Sequence, residues 1–380
     1  MAYLENKRIL ILSPQAWGTM FLSKHHYAVE LAKKGNTVYF LNPPDEGHQQ
    51  NKSVHIEEIK GYDTLYLVTH RLFFPYNIKF RFISLFHFLM KWQVKKILKA
   101  IGMPVDIIWS FDLGNIYPFS LFPKETKKIF HPVDEPVTAA AIKSAMGSEI
   151  IFSVTKEILA KYDEYPAPKH FINHGVSEYF LNAANGQQTH HEPVRVGFSG
   201  NLLRPDIDKP VFLQIINENP SVIFECWGSY QTKQSNIGGG SDKEADQFIS
   251  ELRQLPNVVL HGPVPSEKLA EEFTRMDMFL ICYDVERDQS KGTNYHKVME
   301  YLSTGKVIVS NNITTYKDQP ELVMMVDERT DNRKLPALFK KVITDISHYN
   351  SLAMQKRRRD FAVGNTYTRQ VERIDELLVK

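Results

Sequence analysis

The sequence predicts an α/β protein made of two Rossmann-like domains with a cleft between them. Three observations carry this reading. Short, nearly continuous apolar runs alternate with amphipathic helical stretches, the pattern of parallel strands covered on both faces. That rhythm starts at Arg8 and restarts at Val194. The chain has 380 residues, which suits two domains better than one.

Arg8–Ser13 (RILILS) reads as the first strand, followed by a loop over Pro14–Met20. A helix over Ser23–Lys34 comes next, with Ala28, Leu31 and Ala32 on one face and Gly35 as its stop. Thr37–Leu41 is the second strand, closed by Asn42-Pro43-Pro44, and Asp106–Ser110, Lys128–His131 and Glu149–Val154 are further strands. The polar, helix-breaking stretch Leu181–Glu192 reads as a linker. Beyond it Val194–Phe198, Val222–Cys226, Val258–Leu260, Met278–Cys282 and Val307–Ser310 repeat the pattern, and Gln231–Asp242, with three consecutive glycines, reads as a mobile loop.

Composition sets limits. Hydrophobic residues make up 43% and charged residues 24%, which excludes disorder and coiled coil. The 46 Lys and Arg nearly balance 44 Asp and Glu, so the whole chain lacks a nucleic-acid-grade field. Cys226 and Cys282 both lie in strand-like runs and read as reduced core thiols, consistent with a cytoplasmic protein. The longest apolar run, Phe82–Met90, is half the ~18–20 residues needed to span a bilayer. At the N-terminus a short run after Lys7 and Arg8 reads as a strand and not as a signal peptide.

The near-neutral sum hides an asymmetry. From Lys60 to Pro104 eight Lys and Arg face a single acid, Asp63, and ten aromatic residues interleave with them. This suits contact with an anionic membrane from its cytoplasmic face, and equally a core helix with a basic solvent face. Single-stranded nucleic acid would also fit, but no other feature supports it.

Neither G-x-G-x-x-G nor G-x-x-x-x-G-K-[ST] follows any strand, so a dinucleotide enzyme or P-loop NTPase is not expected. The most informative stretch is Lys291–Asn312 (KGTNYHKVMEYLSTGKVIVSNN). Thr293 or Asn294 is placed to cap a helix that runs to about Thr304 and stops at Gly305. Asn294, Tyr295, His296 and Lys297 then lie at a helix start, where amides and a lysine suit a diphosphate, and Glu300 suits ribose hydroxyls. The plain alternative is a surface helix with a Lys297–Glu300 pair.

This segment resembles the donor-binding segment of GT-B glycosyltransferases, especially the bacterial group-1 type (x-K-x-x-E-Y-x-x-x-G-K-P-V-V). Gly197–Asn201 (GFSGN) resembles that family's first donor-domain strand and turn, and Pro256–Val264 its strand and loop near the base. Phe361–Leu378 resembles its closing helix. The resemblance covers nearly the whole chain and rests on the order of these motifs. It implies a GT-B fold with an acceptor-binding domain over 1–185, a nucleotide-sugar-binding domain over 193–355, and a C-terminal helix over 356–380 crossing back to the first domain.

The implied activity is transfer of a sugar from a nucleoside-diphosphate sugar, with UDP or GDP as the nucleotide, to a hydroxyl of a polysaccharide or lipid-linked acceptor. The resemblance assigns donor binding to Gly200, Arg204, Lys209, Asn294, Tyr295, His296, Lys297 and Glu300. Arg204 and Lys209 keep the five-residue spacing of the family's diphosphate clamp, and pairing with Asp206 or Asp208 is the alternative. No cofactor and no metal are expected, because fixed cations stabilise the leaving group. Asp206-Ile207-Asp208 matches an acid-pair pattern but sits beside those cations. Gly292 stands where retaining members carry a second Glu, which leaves the stereochemistry open.

In the first domain, Lys128–Pro136 (KIFHPVDEP) follows a strand into the cleft. The family places a catalytic histidine there. Alignment by the strand gives that place to Asp134, while His131 is the nearby imidazole. Asp134 or Glu135 would serve an inverting transferase as base, or would simply cap the next helix. Trp17, Gly18 and His25 are candidate acceptor contacts, with His25 and His26 otherwise reading as solvated surface. Two other readings fit the same fold: a sugar-nucleotide epimerase and a non-catalytic partner subunit.

Overall fold

A computed structural model describes residues 3–18, 21–47, 52–183, 191–231 and 243–379. The chain forms two compact units, Met1–Asn173 with Tyr367–Lys380, and His174–Thr366.

The first unit is built on strands β1 (Arg8–Leu12), β2 (Thr37–Leu41), β3 (Val54–Glu58), β4 (Leu65–His70), β5 (Ile107–Ser110), β6 (Lys127–Phe130), β7 (Ile150–Ser153) and β8 (Lys169–Phe171). They form one sheet in the order β3-β4-β2-β1-β5-β6-β7-β8, parallel except for the antiparallel edge pair β3–β4. Helices α1 (Ser23–Lys33), α2 (Ile78–Arg81), α3 (Ile83–Ile101), α4 (Ala139–Lys143) and α5 (Lys156–Ala160) connect them. The continuous apolar runs have the expected cause. Ile9 and Ile11 of β1 pack with Tyr27, Ala28 and Leu31 of α1, whereas Leu10 and Leu12 pack with Phe86, Met90 and Val94 of α3. Successive residues therefore meet apolar partners on opposite faces of the sheet. β4 lies inside the basic, aromatic stretch, so that stretch is only partly helical.

The second unit carries β9 (Arg195–Ser199), β10 (Ile223–Trp227), β11 (Val258–Gly262), β12 (Met278–Ile281), β13 (Val307–Ser310) and β14 (Met324–Met325), all parallel, in the order β11-β10-β9-β12-β13-β14. Its helices are α6 (Glu178–Ala183), α7 (Lys209–Glu218), α8 (Lys243–Gln254), α9 (Ser266–Phe273), α10 (Lys297–Ser303), α11 (Leu335–Thr344), α12 (Ile346–Tyr349) and α13 (Leu352–Val363). The expected linker begins inside α6, which belongs to this unit, and residues 184–190 lie outside the described residues. Most of the glycine-rich loop expected over Gln231–Asp242 lies outside them too. Cys226 and Cys282 are buried free thiols, held well above the usual thiol pKa by burial.

The C-terminal segment is two helices and not one. α13 stays with the second unit, anchored by Arg358, which is fully buried and donates to the carbonyls of Glu321 (3.1 Å), Gly305 (3.0 Å) and Tyr349 (2.9 Å). The chain breaks at Gly364–Thr366, and α14 (Tyr367–Val379) joins the first unit. There Tyr367, Val371, Ile374 and Leu378 enter the α1 core, and the Asp375 carboxylate accepts the Leu4 amide at 2.7 Å and Lys34 Nζ at 2.6 Å. No helix among the described residues is long and apolar enough to cross a membrane.

Arg358→Met removes a side chain that serves three buried carbonyls. It is expected to cost about 3 kcal/mol in urea unfolding. An unchanged midpoint would show that these carbonyls have other partners.

Candidate functional site

In the second unit the strand order reverses between β9 and β12. In such sheets the carboxyl ends of the strands flanking the reversal open a crevice. β9 ends at Ser199, followed by Gly200, and β12 is followed by Cys282 and Tyr283. Lys297, the first residue of α10, reaches this point. Its Nζ donates to the Ser199 carbonyl and, at 2.5 Å, to the Tyr283 hydroxyl, with the Phe198 and Tyr283 rings 5.0 and 4.8 Å away. Burial, and after it the charge of Arg204, pulls the ammonium down from the usual lysine value to about 7. A Cβ on Gly200 would stand 2.9 Å from that nitrogen and 3.0 Å from the Tyr283 hydroxyl, so the ammonium needs the bare backbone.

Arg204 is close by, its guanidinium partly exposed and its ring partner Tyr283 5.8 Å away. The pairing anticipated from sequence is present: Nε and Nη2 both donate to the buried Asp206 carboxylate, with Asp288 3.7 Å away. Lys209, buried in the first turn of α7, reaches Glu244 at 3.3 Å. The five-residue spacing thus leads the two cations to different acids. Asp208 caps α7 through the Val211 amide and accepts from Asn332, so the two carboxylates of Asp206-Ile207-Asp208 have separate tasks. Among the described residues no group of three or more His, Cys, Asp or Glu is placed to hold a metal.

The helix expected from Thr293 or Asn294 begins three residues later, at Lys297, and no side chain caps it. The preceding turns are held instead by Asp288, a residue the sequence reading passed over. Fully buried, it accepts from the amides of Ser290 (3.0 Å) and Gly292 (2.9 Å) and from the hydroxyls of Ser290 (2.5 Å) and Tyr295 (2.8 Å). Burial opposes its charge, but the bonds from Ser290, Tyr295 and Gly292 outweigh it and hold the carboxyl below its usual value. Gly292 sits at φ +59°, with its Cβ direction closed 3.0 Å away by the Asn312 carbonyl and by Val285. Backbone and packing therefore exclude the acid that the resemblance places there. Asn294 is buried in the turn, and Tyr295 packs on Tyr283 at 5.0 Å. Glu300 pairs with His296 at 3.3 Å, one turn earlier, and not with Lys297.

In the first unit the reversal falls between β1 and β5. The loop after β1 and the segment after β6 both leave the carboxyl edge of this sheet, as the sequence reading required. Several side chains differ from expectation. His25 is fully buried, stacked on Phe40 at 5.0 Å, and its Nδ1 accepts the Leu22 amide, so it is neither a solvated residue nor an open acceptor contact. Burial lowers its pKa to about 4. His131 is also fully buried among Tyr27, Phe111 and Trp109, and burial lowers it to about 3. The His131 imidazole, expected as a candidate catalytic group, is therefore neutral and enclosed in the core. Glu135 is buried and ion-paired with Lys161. Asp134 alone of the three is exposed, and Thr138, not either acid, caps α4.

Trp17 lies edge-on against Phe21, His25, Phe40 and Tyr62, packed into the core margin. A Cβ at exposed Gly18 would meet nothing within 4 Å, so no close approach within the protein requires glycine. Lys24 is the surprise of this edge. Only 2% exposed, it donates to Gln15 Oε1, and burial lowers it to about 8 against the opposing charge of Asp134. A lysine in a first helical turn reads as solvated, and only the tertiary structure shows it buried against Gln15.

No protein-family model matches the sequence, and neither does any curated protein. Solved structures match along the whole chain. Sucrose-phosphate synthase from Thermosynechococcus elongatus superposes with a TM-score of 0.69 at 11% identity, over 98% of each chain. Anabaena HepE, in complex with UDP and glucose, gives 0.64 at 12%, over 98% of this chain and 100% of that one. The α,α-trehalose 6-phosphate synthase from Burkholderia multivorans gives 0.67 at 11%, over 98% and 96%. The fold is GT-B. At 11–12% identity this likeness is one of fold.

Asp288→Ala is expected to release the 288–295 turns. Hydrogen exchange at the Ser290 and Gly292 amides should lose its protection, with about 3 kcal/mol lost in unfolding. Retained protection would show that another group holds the loop.

Proposed function

We propose that this protein transfers a sugar from a nucleoside-diphosphate sugar to a hydroxyl of a surface-glycan acceptor, either a polysaccharide or a lipid-linked glycan. The observation that carries this reading is the Lys297 ammonium at the reversal point of the second sheet, beside Gly200 and Arg204. Structural neighbours described with UDP and glucose, and with UDP-glucose, support the donor class.

In this reading Lys297 and Arg204 receive the diphosphate. Both are already oriented by Tyr283, Ser199 and Asp206, so little reorganisation accompanies the growth of charge on the leaving phosphate. Glu300, steadied by His296, is assigned to the ribose hydroxyls. The fixed cations take the part a metal would play, and EDTA should leave turnover unchanged. The nucleotide is assigned as UDP or GDP.

The acceptor oxygen attacks the anomeric carbon, its proton passes to a carboxylate, and the bond to the diphosphate breaks with the electron pair on the leaving oxygen. With His131 and Glu135 enclosed, Asp134 of the first unit is the proposed base, and the reaction inverts. Asp134 is exposed and faces the Lys24 ammonium, which burial lowers to about 8 and which therefore stays largely charged at neutral pH.

A thermal-shift panel of UDP, GDP, dTDP and CMP tests the donor class. One diphosphate should raise the melting temperature, and Lys297→Met should abolish the rise. Binding an anion favours the charged form of Lys297, so affinity is greatest below pH 7 and weakens as the pH rises through the free protein's value. Between pH 7 and 9 the calorimetric Kd should rise by up to ~10-fold per unit, a slope that Lys297→Met flattens. A pH-independent wild-type Kd would remove the ammonium from the site.

Asp134→Asn should lower kcat by about 10²–10⁴-fold with the nucleotide shift intact. Near-normal turnover would eliminate this residue as the base.

A further inference from the structure

The first unit carries a surface that the proposed chemistry does not use. Helix α3 has two opposed faces. Phe86, Met90, Val94 and Ile97 are buried in the sheet core. Outward, Leu85, Phe88 and Trp92 follow one another at intervals of three and four and are 46%, 60% and 54% exposed. The same stripe continues into Lys95, Lys96 and Lys99, all exposed. Before the helix, Phe80 and Phe82 are 75% and 63% exposed, and Phe73 lies under Lys96, whose Nζ is 4.6 Å from its ring. Lys95 Nζ is 5.2 Å from the Trp92 ring.

Single exposed apolar residues are ordinary, but a band of large ones marks an interaction surface. The charge pattern selects the occupant. No Asp or Glu occurs between Asp63 and Asp106, while Arg71, Lys79, Arg81, Lys91, Lys95, Lys96 and Lys99 do. A second copy would set this cationic face against its own like. An anionic bilayer complements both halves of the stripe, with phenyl and indole groups entering the headgroup boundary and ammonium groups meeting lipid phosphates.

We propose that the outward face of α3, with the preceding Phe80 and Phe82, docks this protein on an anionic lipid bilayer. The helix lies obliquely at the interface, with Phe82, Phe88 and Trp92 beneath the headgroups and Lys95, Lys96 and Lys99 among them. This inference goes beyond the donor-site reading and does not depend on it.

The test is co-sedimentation of the full chain with vesicles of phosphatidylcholine alone and of phosphatidylcholine mixed with phosphatidylglycerol. Binding should favour the mixed vesicles by about 10-fold or more and weaken in high salt. Phe88→Ser/Trp92→Ser and Lys95→Glu/Lys96→Glu/Lys99→Glu should each reduce it by a similar factor. Because these side chains are exposed, the melting curves should match wild type. Equal binding to both lipids, retention in either variant, or no vesicle binding would overturn the proposal. So would a dimer in light scattering that is lost in Phe88→Ser/Trp92→Ser, which would assign the face to a second copy. Nucleotide thermal shifts on the same variants should equal those of wild type, so failure of the docking surface is distinguishable from failure of the donor site.

Discussion

One ammonium group organises the second unit. Nζ of Lys297 is shared between the carbonyl that ends β9 and the hydroxyl that follows β12. It therefore joins the two strands at the point where the sheet changes direction. The Gly200 backbone lies bare because the nitrogen passes over it, and Tyr283 carries both that nitrogen and the faces of Arg204 and Tyr295. A positive charge in such surroundings is costly, which is why the pKa drops to about 7, and a group that is costly alone is stabilised by an anionic ligand.

Negative charge is distributed to match. Asp206 and Asp288 are buried, and both meet Arg204, so the guanidinium is held in place. Asp288 also gathers the 288–295 turns and so decides where α10 begins. Its role explains why the helix starts three residues later than the polar residues suggest. Ser290, Gly292 and Tyr295 donate to Asp288, and the Thr293 hydroxyl donates to the Ser290 carbonyl within the turn. The same turns force Gly292 into a left-handed conformation with no room for a side chain, so the departure from the resembled motif is a consequence of how this loop is built.

The first unit treats its polar edge differently. His25, His131 and Lys24 are buried and lose proton affinity, while Asp134 stays at the surface. Burial keeps both imidazoles neutral at neutral pH, whereas the Asp134 carboxylate has access to solvent. Sequence position alone could not separate the four, because each lies within a few residues of a strand end or in a first helical turn.

Strands buried on both faces must be apolar along their whole length, so β1, β2, β5, β6, β7, β9, β10, β12 and β13 were legible to within a residue or two. β3, β4, β8 and β14 were not: β3, β8 and β14 are short or half-polar edge strands with no such requirement, and β4, though interior, lies within the basic, aromatic stretch. Gly200, Arg204, Lys297 and Glu300 were legible as motif positions. Their partners were not: Glu300 belongs to His296, Lys209 to Glu244, and Asp288 was invisible in a polar run. Sequence by itself determined the two α/β units and the strand ends where chemistry can lie, since periodic burial is a local property of the chain. Only tertiary structure decided which charged groups are enclosed, which stay open and which aromatic residues of α3 face outward. Those outcomes depend on desolvation by residues far apart in the chain, and no local pattern records it.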